Sequence, residues 1–168
     1  MTAEPDALFT AVWPDPGPSV RAEAQALWAR LGVLPPGVDP EARAAQLCVV
    51  GHAKGRLIAV SSAEVAYLPI LRQRFAMLRV FVDPEVRSGD VLRRLARSAH
   101  ARLEDWSSAN PGERVMGMGA VFENPRLGKV LPVWRMRPGD SPMSGLVLVG
   151  YTERGEQIRV SWFKHARL

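Results

Sequence analysis

Cysteine, histidine, tyrosine and lysine are scarce in this chain, and long apolar runs are missing. The single cysteine, Cys48, excludes an internal disulfide and suits a reducing compartment. It lies in an apolar run and reads as an inert core thiol. The three histidines, His52, His100 and His165, lack the spacing of a zinc site, so no metal is expected. No stretch approaches the ~20 apolar residues of a membrane helix, and no basic-plus-apolar signal opens the sequence. The chain is therefore expected to be cytoplasmic, with no membrane partner. A Gly-x-Ser-x-Gly elbow, a P-loop and a dinucleotide fingerprint are also absent, which sets those chemistries aside.

What remains is the composition of an ordinary globular protein: 168 residues, 47% hydrophobic and 23% charged. That length fits one domain, taken as 1–168, with a core of its own. The prolines gather near the N-terminus and around Pro132 to Pro142, marking loops. Arginine supplies most of the 22 basic residues and the net charge is +5. The excess would suit an anionic ligand. The arginines are scattered, however, and Arg93, Arg94, Arg97 and Arg102 on one helix read as a solvated face rather than a nucleic-acid surface.

In chain order, Leu8 to Trp13 reads as a strand, and Ser19 caps a helix through Leu31 that Gly32 stops. Asp39 to Ala44 is one helical turn. Gln46 to His52 and Arg56 to Tyr67 form a hairpin about Ala53-Lys54-Gly55. Phe75 to Val82 is an apolar strand whose one charge, Arg79, shares a face with Phe75, Met77 and Phe81. A charge there is expected to be paired or to line a polar cavity, the latter favouring an acidic group on the substrate. After the turn at Arg87-Ser88-Gly89-Asp90, apolar residues recur at Leu92, Leu95, Ala96, Ala99, Leu103 and Trp106, an amphipathic helix. Ser107 to Glu113 is a loop and Arg114 to Phe122 a strand. Its Gly117 and Gly119 face one way, which points to close approach by a packed element or a ligand. Asn124 caps a short helix to Leu131, Pro138 to Ser144 is a loop, and Gly145 to Thr152 and Glu156 to Phe163 form a second hairpin about Arg154-Gly155. Strands alternating with single helices argue for a mixed α/β sheet.

The run Val82-Asp83-Pro84-Glu85-Val86-Arg87, followed by a Gly-containing turn and a helix, resembles the acyl-CoA loop of the GNAT superfamily of N-acyltransferases. The element order is also similar to that family's over nearly the whole chain. The resemblance implies a GNAT-like mixed sheet of about seven strands with helices on both faces. It also implies acetyl-CoA or another acyl-CoA as cofactor, and transfer to an amine of a small molecule or a protein. Three small residues of the family loop correspond here to Ser88, Asp90 and Leu92, only the first of them small.

On the same resemblance, the pantetheine arm would run along Val80, Phe81 and Val82, on a fourth strand splayed from the fifth. The phosphates would meet Arg87, Ser88, Gly89, Asp90 and Val91 at the helix start, where unpaired N–H groups and the helix dipole favour an anion, and Asn124 matches the family's residue after the fifth strand. A carboxylate at Asp90 would compete for that positive end. The positions where the family carries a Glu and a Tyr hold Gly119 and Leu131, neither able to move a proton. Glu123, Glu64 and Asp83 stand as candidate bases and Tyr151, Tyr67 or water as candidate acids, with Glu123 and Tyr151 taken first. The alternative is a non-catalytic module of the same fold that binds a partner, forms a homo-oligomer or serves in an assembly.

Overall fold

A computed structural model of the chain describes residues 6–86, 89–130 and 145–166. The strands are β1 (Leu8–Ala11), β2 (Leu47–Ala53), β3 (Arg56–Leu68), β4 (Gln73–Val82), β5 (Val115–Phe122), β6 (Val147–Tyr151) and β7 (Gln157–Trp162). The helices are α1 (Pro18–Leu31), α2 (Pro40–Ala45), α3 (Gly89–Ala109) and α4 (Pro125–Val130), with single 3-10 turns at Pro84–Val86 and Pro111–Glu113. The strands form one seven-stranded sheet in the order β1-β2-β3-β4-β5-β7-β6. Strands β4 and β5 run parallel across the α3 crossover, while β1–β2, β2–β3, β5–β7 and β6–β7 are antiparallel. The mixed α/β sheet and its element order are those expected from the sequence.

Some boundaries differ for definable reasons. Helix α1 starts at Pro18 with Gly17 as its cap residue, so Ser19 sits inside the first turn; the fixed φ of proline suits the first helical position. Helix α3 continues to Ala109 through what reads as loop, because Ser107 is buried and its hydroxyl donates to the Val115 carbonyl at 2.7 Å. Strand β6 begins two residues later than Gly145. Arg87, Ser88, Leu131 and the loop from Pro138 to Ser144 lie outside the described residues.

The chain divides into two compact units, 1–62 with 80–99 and 63–79 with 100–168. In the first, α1 places Ala24, Leu27 and Trp28 on one face, against Ala44 of α2, Leu47 and Val50 of β2, and Leu57 and Val60 of β3. Burying an indole such as Trp28 contributes roughly 2 to 3 kcal/mol. Phe81 packs on the same cluster. The β2–β3 hairpin turns on Lys54 and Gly55, both with positive φ (50° and 72°), the primed turn that matches strand twist. Along the amino-terminal half of α3, Val91, Leu95, Ala96 and Ala99 are buried, an i, i+4 stripe joined by Ala96.

In the second unit, Leu103, Phe75, Ala76, Val115, Met118, Ala120, Phe122, Val160 and Phe163 are buried. Phe75 and Trp162 meet edge to face with ring centroids 5.9 Å apart. Among the described residues no helix is long and apolar enough to cross a membrane.

Candidate functional site

The connection from β4 to α3 is held by Asp83. Its carboxylate has no solvent exposure and accepts from Arg30 Nη2 of α1 at 2.7 Å and from Arg56 Nη2 at the start of β3 at 3.4 Å. Its Oδ1 accepts from the Glu85 amide at 3.0 Å, its own amide donates to the Ile58 carbonyl at 2.8 Å, and its carbonyl accepts from the Val86 amide at 3.0 Å. Burial alone would raise its pKa. The Arg30 hydrogen bond, the Glu85 amide and the charges of Arg30 and Arg56 outweigh that and hold the carboxyl below its ordinary range. Asp83 is thus unsuited to take a proton, which removes it from the candidate bases. Its effect is to fix the first residues after β4, just ahead of the α3 start. The partners Arg30 and Arg56 were not legible as such in the sequence; an Asp-Pro step after a strand is the one signal that a turn-forming carboxylate lies there.

At the α3 start, Gly89 is exposed, and among the described residues a side chain there would meet only Arg93 Nη2 at 4.0 Å. Asp90 is turned to two guanidiniums of its own helix, 3.6 Å from Arg93 and 3.7 Å from Arg94. Arg94 also donates to the Ala7 carbonyl at 2.8 Å and lies 4.9 Å over the Phe9 ring, tying the helix to the β1 segment. The Asp90 charge is therefore partly offset by neighbours rather than bare. Of the strand residues proposed to line a pantetheine arm, Val82 is buried, Phe81 has its ring in the α1 cluster, and Val80 is half-buried. Their backbone, not their side chains, would have to make the contacts. Val91 points into the core.

In the second unit the β4–β5 ladder runs from Arg74↔Val115 to Ala76↔Met118 and Met77↔Gly119, with an irregularity after Arg74. It ends there, although β5 continues to Phe122 and β4 goes on through Leu78 and Arg79. Past Met77↔Gly119 the two strands stay extended without residue-to-residue pairing, and backbone groups that face each other there would look for other partners. The two glycines of β5 have a packing explanation. A Cβ at Gly119 would lie 2.6 Å from Met77 Sδ, and one at Gly117 would collide with the Ser161 carbonyl oxygen and sit 3.0 Å from the Phe75 ring. The close approach comes from neighbouring strands.

Asn124 uses its side-chain oxygen to accept from the Arg126 amide at 3.0 Å, capping α4. Glu123 is exposed at the end of β5, and Tyr151 is 60% exposed at the end of β6. Both flank one point on β7, since Gln157 pairs with Phe122 on one side and with Tyr151 on the other. Tyr151 and Phe122 are thus about two strand spacings, ~10 Å, apart. Tyr67 is exposed at the end of β3. Arg79 is paired, as a charge on that face requires: its Nη2 donates to Glu64 Oε2 at 3.0 Å, and both side chains are about half exposed.

No family model matches the chain, and no curated protein matches it. Solved structures do. An acetyltransferase of the GNAT family from Streptococcus pneumoniae superposes with a TM-score of 0.60 at 11% identity, over 94% of this chain and 99% of its own. The ribosomal-protein-S5-alanine acetyltransferase of Vibrio fischeri gives 0.60 at 12% identity over 96% of both chains. N-acetylglutamate synthase from Neisseria gonorrhoeae, solved with coenzyme A and L-arginine, gives 0.53 at 12% identity over 95% of this chain and 34% of the synthase. At such identities the likeness is one of fold.

Proposed function

We propose that this chain, which has the GNAT fold, binds an acyl-CoA and passes the acyl group to an amine. The observation that carries the reading is the end of the β4–β5 ladder at Met77↔Gly119, with β5 and β4 both extending beyond it. The backbone groups left there are of the kind an amide-bearing pantetheine arm would satisfy. The neighbour crystallised with coenzyme A supports a thioester or its free thiol as the ligand class. The Asp83 clamp supports it too, because it holds the backbone that leads from β4 toward the helix start as far as Val86. Val80, Phe81 and Val82 would offer backbone to the arm. Arg87, Ser88, Gly89, Asp90 and Val91 would form the turn at the phosphates, and Asn124 would stand at the end of β5.

An acyl-CoA supplies an activated thioester carbonyl. The chain must supply a proton acceptor for the incoming ammonium and a donor for the departing thiolate. Glu123 and Glu64 are the exposed carboxylates open to the first role. Tyr151 is the first choice for the second. The test is thiol release from acetyl-CoA across a panel of amines. Turnover that falls at least tenfold in Arg87→Ala, chiefly through KM for acetyl-CoA, supports the reading; no turnover with any amine, despite CoA binding, contradicts it.

A second reading, a non-catalytic GNAT-fold module that holds a partner, is favoured by one observation. Gly119 is packed under Met77 where a catalytic carboxylate would stand. A module of this kind would bind CoA weakly or not at all and show no thiol release.

A further inference from the structure

Resting on that reading, we infer that the acceptor is an amine carrying a carboxylate, an amino acid or its close relative, held by the Arg79–Glu64 pair, and that Glu64 takes its proton. Three observations within the second unit converge on this pair.

The first is position. Arg79 follows Met77 by two residues, so strand alternation puts both on one face of β4, Arg79 about 7 Å further along. Met77 is the last residue of β4 in the ladder with β5. The pair therefore stands just past the point where the strands stop pairing, where a thioester arm would end. The second is exposure. On the matching face of β5, Val121 follows Gly119 by two residues and is 37% exposed. Beside side-chain exposures of 42% for Arg79 and 50% for Glu64, this leaves the face accessible. The third is valence. The ion pair is one hydrogen bond, Nη2 to Oε2, and among the described residues neither side chain has another partner. Arg79 keeps Nε, Nη1 and the second hydrogen of Nη2, so one fork, Nη2 with Nη1 or Nη2 with Nε, stays open to a carboxylate in the two-pronged geometry that guanidinium favours. Glu64 keeps an oxygen for an ammonium. A cation and an anion fixed 3.0 Å apart complement the two ends of a zwitterion.

The transfer then balances. Glu64 accepts one proton from the ammonium, and the freed amine nitrogen forms the new C–N bond at the thioester carbonyl. The C–S bond breaks, and the second nitrogen proton goes to the thiolate as the amide forms. Glu64 later returns its proton to water.

The test pairs binding with turnover. Calorimetric titration of the twenty L-amino acids and their amides into the apo protein reads acceptor binding without any chemistry. At least one acid should bind better than its amide by about tenfold to a hundredfold, the cost of one charge-assisted hydrogen bond. Arg79→Ala should abolish the preference and Arg79→Lys restore part of it. In turnover with acetyl-CoA, Arg79→Ala should raise KM for the acceptor and leave KM for acetyl-CoA unchanged. Glu64→Gln should lower kcat about a hundredfold and remove the acidic limb of its pH profile. An exposed pair carries little stability, so melting temperatures of all three variants should match the parent. Amides binding as well as acids, or Arg79→Ala leaving the preference intact, would overturn the inference. Absence of CoA binding with the amino-acid preference present would instead overturn the acyl-transfer reading and leave the zwitterion site standing.

Discussion

Arg30 and Asp83, separated by 53 residues, meet at 2.7 Å with the carboxylate wholly buried. This contact joins α1 to the segment between β4 and α3, and Arg56 adds a second, longer one at 3.4 Å. Removing the charge should both destabilise the fold and loosen the turn ahead of α3. Asp83→Asn keeps an acceptor for the Glu85 amide but weakens the arginine contacts, at a cost of about 1 to 3 kcal/mol by chemical denaturation. A cost below a few tenths of a kcal/mol would mean that the clamp carries no stability.

The same residue sets an acid limit. The Asp83 pKa is lower in the fold than in the unfolded chain, where it is near 3.9. Its stabilisation is therefore complete above about pH 4 and lost as pH falls through the lower folded value. Melting temperatures of the parent and Asp83→Asn should draw together as pH falls below about 4. Curves that stay parallel as the pH falls through the acid range would contradict this assignment.

A second window belongs to His100. Its pKa is pushed down, first by burial and then by Lys164, with Glu104 opposing. Its ring lies edge-on to Phe163 at 5.5 Å, and its buried Nε2 has no partner among the described residues. Below about pH 6.5 the unfolded histidine binds a proton that the folded one resists, so stability should fall from there until the folded value is reached. His100→Phe should flatten the melting curve between pH 7 and 5. The check is a pH series of thermal melts, and an unchanged slope in the variant would rule His100 out.

The two glycines of β5 should differ. At Gly117 an added methyl meets backbone, the Ser161 carbonyl oxygen and Trp162 Cα, which cannot move without breaking the ladder. At Gly119 it meets first the flexible Met77 thioether. Gly117→Ala should cost about 2 kcal/mol or more and Gly119→Ala about 1 or less. Equal costs in denaturant melts would show that Met77 has no room to turn.

Much of this architecture was legible from the residues because it is local. The stripe Leu95, Ala96, Ala99 and Leu103 marks α3 by its period. Lys54-Gly55 and Arg154-Gly155 mark hairpins by their turn chemistry, and Asp83-Pro84 marks the end of β4. What could not be read is what depends on register and on long-range pairing. The covering of Gly119 by Met77 follows from how β4 sits against β5 after the irregularity at Arg74. Neither residue announces it. Arg30 and Arg56 look like any surface arginine until the fold brings Asp83 between them. The pairing of Arg79 could be argued from its apolar face, whereas Glu64 as its partner could not, since cross-strand neighbours are set by the β3–β4 connection.

Asp90 bears on ligand binding directly. Arg93 and Arg94 stand 3.6 and 3.7 Å from its carboxylate, and Arg94 is also held by the Ala7 carbonyl and the Phe9 ring, so on the proposed reading Asp90 sets a negative charge and its own ion pairs at the phosphate end. Asp90→Asn should remove the repelling charge, free Arg93, and raise CoA affinity by about tenfold, with a steeper dependence on salt. Unchanged or weaker affinity would show that the carboxylate is no obstacle.

The most direct measurement is a calorimetric titration of coenzyme A and acetyl-CoA into the intact chain. Saturable micromolar binding, weakened by Arg87→Ala, is the expected result. No heat and no thermal stabilisation at millimolar CoA would mean that the end of the β4–β5 ladder holds no pantetheine arm, and would leave a GNAT fold without acyl-CoA chemistry.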